Sequence, residues 1–157
     1  MKDAKLQRVI LSDNVGLYSI SFNGGMTEYR KFVDKFKDDA KLNKDYRSIL
    51  TALDHIIANG AFERNFRPEG KMNDGVVALS IDSRRLRLYC LRMSDQVLIV
   101  GNGGVKSTKT YEESDELSGY VMDLQKFEKL LKQAMSEGTI SIERNVIIGI
   151  EEAVFRV

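Results

Sequence analysis

Three strand-like apolar runs follow one another between residues 75 and 101, joined by links too short for a crossover. They are GVVALSI (75–81), RLRLYCLRM (85–93) and QVLIVG (96–101), with DSRR and SD at the joints. Links of this size join neighbouring antiparallel strands, whereas parallel neighbours need a crossover of about a dozen residues or more. This stretch therefore predicts a three-stranded antiparallel meander. The rest of the chain has to fold around it.

Upstream, GLYSISF (16–22) alternates, with Tyr18, Ile20 and Phe22 against Leu17, Ser19 and Ser21. That pattern predicts a half-buried strand, and LQRVIL (6–11) is placed to pair with it across SDNVG. Then the period changes. Tyr29, Phe32, Val33 and Phe36 form one helical stripe. A second runs through Tyr46, Ile49, Leu50, Leu53 and Ile57, with Gly60 placed to end it. The short connection between them predicts an antiparallel helix hairpin. Residues 61–74 are polar, hold the only proline, Pro68, and read as a loop. NGGVKSTK reads as a Gly-rich loop closing the meander. A third helix is expected from about Glu113 to Ser136, with Leu117, Val121, Leu124, Phe127, Leu131 and Met135 inward and Gly138 as its stop. The tail is strand-like.

The expected architecture is α+β. It comprises an N-terminal strand, a helix hairpin, a three-stranded antiparallel meander, then a C-terminal helix and strand-like tail, with helices on one face of the sheet. The 157 residues suit one domain. No apolar run approaches the ~20 residues of a membrane span, and the N-terminus shows no secretory signal. The single cysteine, Cys90, cannot form an internal disulfide, so a reducing cytoplasmic setting is expected. With one histidine and one cysteine, a structural zinc site lacks ligands, and neither metal nor cofactor is expected.

The net charge of +1 hides an uneven distribution. Residues 1–59 carry +2, residues 60–111 carry +4 and residues 112–157 carry −5. A basic middle points to a polyanion or an acidic partner, or to a solvated face. Alternation along 85–93 puts Arg85 and Arg87 on one surface about 7 Å apart, a spacing that suits bidentate contacts to phosphate. The same pair also fits arginines lying over an exposed sheet face. NGGVKSTK is not a phosphate-binding P-loop, because Val105 rather than glycine precedes Lys106. Lys106 and Lys109 are candidate phosphate contacts instead. Tyr111 fits a base-stacking role or a place under the third helix. His55 falls off the apolar stripe and is expected in solvent; Cys90 reads as a small core residue. The neighbouring carboxylates Asp38/Asp39, Glu112/Glu113 and Glu151/Glu152 read as solvated.

Three segments carry a family resemblance: RNFRPEG (64–70), RRLRLYCLRMSDQVLIV (84–100) and GGVKSTKTYEES (103–114). With the element order around them, residues from about 16 to 114 resemble the RelE/HigB/ParE superfamily of bacterial toxins. Residues 115–157 then form an extension able to cover the basic face. The resemblance implies an mRNA endoribonuclease, acting on the ribosome and held by a cognate antitoxin. It implies that Arg87, Lys106, Lys109 and Tyr111 act at the scissile phosphate, and that Arg67, Arg84 and Arg85 contact RNA phosphates. The implied reaction is attack of a 2′-hydroxyl on the adjacent phosphate. The alternative is a non-catalytic binding module, or a gyrase-poisoning toxin, on the same fold.

Overall fold

The computed structural model describes residues 1–70, 74–82, 85–106 and 115–157. In chain order the elements are β1 (Asp3–Leu11), β2 (Gly16–Phe22), α1 (Glu28–Phe36) and α2 (Asn43–Asn59). A 3-10 turn (Glu63–Asn65) leads to β3 (Phe66–Pro68), β4 (Val76–Leu79), β5 (Leu86–Ser94) and β6 (Val97–Val105). Then come α3 (Asp115–Glu137), β7 (Ser141–Glu143), β8 (Val146–Ile148) and β9 (Phe155–Arg156). The fold is mixed α and β, and β4, β5 and β6 form the expected antiparallel meander.

One seven-stranded sheet runs β3-β4-β5-β6-β2-β1-β9, and β7 pairs with β8 apart from it. Neighbours are antiparallel except β2 and β6, which run parallel from Gly16↔Val97 to Ser19↔Val100. The parallel contact follows from the path: the helices carry the chain away from β2, and the meander brings it back alongside.

Helices cover both faces, not one. Phe32 and Phe36 of α1, with Tyr46, Ile49, Leu53 and Ile56 of α2, pack against Leu17, Leu86, Leu88, Cys90, Leu98 and Val100. On the opposite side Leu117, Val121, Leu124, Phe127 and Leu131 of α3 meet Tyr18, Ile20, Tyr89, Leu91, Val97 and Ile99. The sheet is the middle of three layers. An apolar stripe shows that a helix buries one side; it does not say which side of the sheet receives it.

Layering also corrects the reading of β2, which is buried along its whole length. Its serines are tolerated because each is bonded. Ser19 Oγ donates to the Val100 carbonyl (2.6 Å) and accepts from the Tyr29 N–H (3.1 Å). Ser21 Oγ accepts from the Gln7 amide (3.2 Å). The segment 61–74 is less irregular than expected, since β3 adds an edge strand there, the place where a proline fits a sheet. The glycines after Ile99 extend β6 to Val105 rather than forming a loop. A Cβ on Gly103 would lie 1.8 Å from the Arg87 carbonyl oxygen, so only glycine allows β5 and β6 this approach. Helix ends follow the sequence: Thr27 caps α1 through the Arg30 N–H, and Gly60 (φ 134°) and Gly138 (φ 83°) follow α2 and α3.

Candidate functional site

The two packed layers fix where each side chain of the meander points. Leu86, Leu88 and Cys90 lie on the α1/α2 side, and Tyr89 and Leu91 on the α3 side. Alternation then puts Arg85 and Arg87 on the α3 side. Arg67 pairs with Ala78, a member of the α3-side core, so Arg67 shares that face. Gly104 pairs with Arg87, and a Cβ on it would meet Leu117 of α3. The ladder continues past β6, with the Lys106 N–H donating to the Arg85 carbonyl (2.6 Å), and Lys106 follows the same side. Past β3, the Glu69 N–H donates to the carbonyl of Val76, another α3-side residue (3.2 Å). One face of the sheet thus gathers Arg67, Arg85, Arg87, Lys106 and a carboxylate, Glu69.

Arg87 is the unusual member. It is 4% exposed, yet its Nε and Nη1 have no hydrogen-bond partner among the described residues. The half-buried Arg67 has Nε and Nη2 in the same condition. A buried donor left without an acceptor costs about 1–3 kcal/mol, more when charged. Buried polar groups are almost always paired, so exceptions concentrate where an incoming group completes the bonding. Two guanidinium forks on one rigid face offer donors to a tetrahedral anion.

Glu69 adds a second kind of chemistry. Burial pushes its carboxyl above the ordinary glutamate range, even though Lys106 and Arg67 pull it the other way. The sequence reading missed this residue. Its only signal was a spacing of two from Arg67 in a segment read as a loop, where alternation does not apply.

The first turn of α3 walls the cluster, and Lys35 fastens that turn. Lys35 Nζ, on α1, donates to the Gly103 carbonyl (3.1 Å), Glu116 Oε1 (3.2 Å) and the Tyr120 hydroxyl (3.2 Å). The Tyr120 hydroxyl donates to Glu116 (2.8 Å). That bond first, then Lys35, holds the Glu116 carboxyl below its usual range.

The other candidates separate from this cluster. Arg84, Lys109 and Tyr111 lie outside the described residues, as does Glu113, the expected start of the third helix. Arg92 is structural: its Nε donates to the Ala61 carbonyl (2.7 Å) and its guanidinium pairs with Asp95. Cys90 is fully buried, and burial pushes its thiol far up, so it is a core residue. His55 is exposed beside a cleft of about 660 Å³ on the α2 side, with its Nδ1 3.2 Å from the Asn59 amide. The Gly-rich stretch belongs to a strand of an antiparallel meander, so it cannot wrap a phosphate as a P-loop does. Among the described residues no three His, Cys, Asp or Glu side chains cluster as metal ligands, and no helix is long and apolar enough to cross a membrane. No protein-family model, curated protein or solved structure matches the chain.

Proposed function

We propose that this protein is an mRNA endoribonuclease of the RelE/HigB toxin type, which binds RNA phosphates on the α3-side basic face. The observation that supports this most is Arg87, a buried guanidinium whose Nε and Nη1 lack partners among the described residues. Its desolvation is already part of the folded state, so a phosphate reaching it meets an undiluted charge. Arg67, Arg85 and Lys106 share its face and extend the positive surface. Attack of a 2′-hydroxyl builds negative charge on the phosphorane oxygens, and preorganised donors at such a centre are usually the largest catalytic contribution. On this reading the natural substrate is translated mRNA on the ribosome, and a cognate antitoxin protein holds the activity in check.

One observation favours the second reading, a binding module or gyrase-poisoning toxin without cleavage: α3 packs on the same face as Arg87 and leaves that residue little exposure. Inducible expression with mapping of mRNA 5′ ends separates the two. New ends within translated codons, lost in Arg87→Ala, are expected. Growth arrest without new ends would point to gyrase or another protein target. Neither arrest nor ends would leave a binding module.

A further inference from the structure

The outer flank of α2 and the chain after β4 enclose a cleft that the basic face of the sheet does not use. We propose that this cleft, lined by Lys44, Arg47 and His55, binds a nucleoside polyphosphate. The inference goes beyond the endonuclease reading and does not depend on it.

The cleft holds about 660 Å³, a volume typical of small-molecule sites. Its position follows from the helix. Tyr46, Ile49, Leu53 and Ile56 turn one side of α2 into the core, which leaves Lys44, Arg47, Thr51 and His55 on the other. The second wall comes from Asn65 in the 3-10 turn and from Ser80, Ile81 and Asp82. Charge pairing sets the cations here apart. On α1 and just after it, Arg30, Lys31, Lys35 and Lys37 each meet a carboxylate. Lys44 and Arg47 meet none among the described residues, although Asp45 and Asp54 belong to the same helix. His55 adds a directed donor. The Asn59 amide nitrogen donates to the His55 carbonyl (3.0 Å) and meets His55 Nδ1 (3.2 Å), which makes Nδ1 an acceptor and places the ring N–H on Nε2. On the opposite wall Asn65 Oδ1 accepts from the Phe62 N–H (3.0 Å), so the donors of its amide remain for a ligand.

These groups are ordered along the cleft. Lys44 and Arg47 stand in the first turns of α2, and His55 is about 16 Å from Lys44 at about 1.5 Å of rise per residue. Phosphate oxygens match the ammonium and guanidinium donors at the first end. A flat ring suits the other, where Ala52, Ile56 and Ile81 give apolar contact and His55 Nε2 and the Asn65 amide give polar contact. Asp82 is the acid lining the cleft among the described residues. A carboxylate repels phosphate but accepts hydrogen bonds from sugar hydroxyls. A nucleoside polyphosphate carries anion, hydroxyls and ring in one molecule, whereas an inorganic anion would leave the apolar surface unused.

The test titrates the full chain with ATP, GTP, inorganic tripolyphosphate and a short RNA, read from amide NMR shifts at ~0.15 M salt. ATP or GTP should shift the amides of Asn65, Ser80 and Ile81, and tripolyphosphate should bind at least about tenfold more weakly. The double variant Lys44→Ala/Arg47→Ala changes exposed side chains only, so its spectrum should match the wild type away from the cleft. Its nucleotide affinity should fall by at least about tenfold, whereas Arg87→Met should bind the nucleotide like the wild type. No shift at these amides with either nucleotide at millimolar concentration would overturn the site. Tripolyphosphate binding as tightly as the nucleotide would overturn the ligand class. Binding kept in the double variant and lost in Arg87→Met would move the nucleotide to the basic face. An RNA that displaces the nucleotide from the cleft would make it an RNA contact instead. None of these readings requires RNA cleavage, so a protein that makes no cut leaves the test intact.

Discussion

Arg87 and Leu88 are neighbours on β5 and stand on opposite faces of one sheet, and the two faces do opposite things. Leu88 is fully buried in the continuous apolar layer under α1 and α2. Arg87 is almost as buried, but two of its donors lack partners among the described residues. The α1/α2 side is built to hold the fold. The α3 side is apolar along Tyr89, Leu91, Val97 and Ile99 and turns cationic where β3, β5 and the exit of β6 meet it. A guanidinium without partners is a cost to the fold rather than a gain, which sets this face apart from the one under α1 and α2 among the described residues.

Substituting each neighbour in turn separates the two faces. Leu88→Ala should destabilise the protein by about 2–5 kcal/mol, because it leaves a cavity in a packed layer; urea unfolding measures it. Arg87→Met keeps the volume and removes the buried charge. It should raise stability by about 1–3 kcal/mol in the same assay, the release of an unsatisfied buried group. A comparable loss at both positions would mean that the two faces are equally structural.

Ser19 offers a smaller test within the sheet. Its hydroxyl joins β6 to the start of α1, and Ser19→Ala leaves the Tyr29 N–H without its acceptor. A cost of about 1–3 kcal/mol is expected, read as a lower midpoint with unchanged slope in denaturant.

Two carboxylates sharpen the comparison through pH. Glu116, with its folded pKa lowered, stabilises the fold above its unfolded pKa, and that contribution is lost as pH falls through the folded value. It is well exposed, so screening limits the effect: Glu116→Gln should cost about 0.2–1 kcal/mol near neutrality, less in high salt. Glu69 has the opposite sign. Its raised folded pKa makes ionisation unfavourable to folding, so it destabilises increasingly as pH rises from the unfolded toward the folded value. Glu69→Gln should therefore melt slightly higher than wild type at neutral pH and equally in acid.

Much of this was legible in the sequence. Short links forced the meander, helical stripes located α1, α2 and α3, and alternation along β5 separated Arg87 from Leu88 correctly. What escaped has physical reasons. The side taken by α3 depends on which sheet face is left to cover, which no stripe encodes. The burial of β2 was hidden because Ser19 and Ser21 read as exposed until their partners, on β6 and β1, are known. Gly103 and Gly104 read as loop residues, although glycine there permits a close strand approach. Glu69 became visible only once β3 had paired with β4 and extended alternation into a polar segment.

If Arg87 is held for a ligand against the interest of the fold, removing its charge should stabilise the protein and end cleavage together. The most direct measurement is the melting temperature of Arg87→Met beside its RNA cleavage in the same preparation. A higher melting temperature together with loss of cleavage is expected. A lower melting temperature, or full cleavage without the guanidinium, would contradict it.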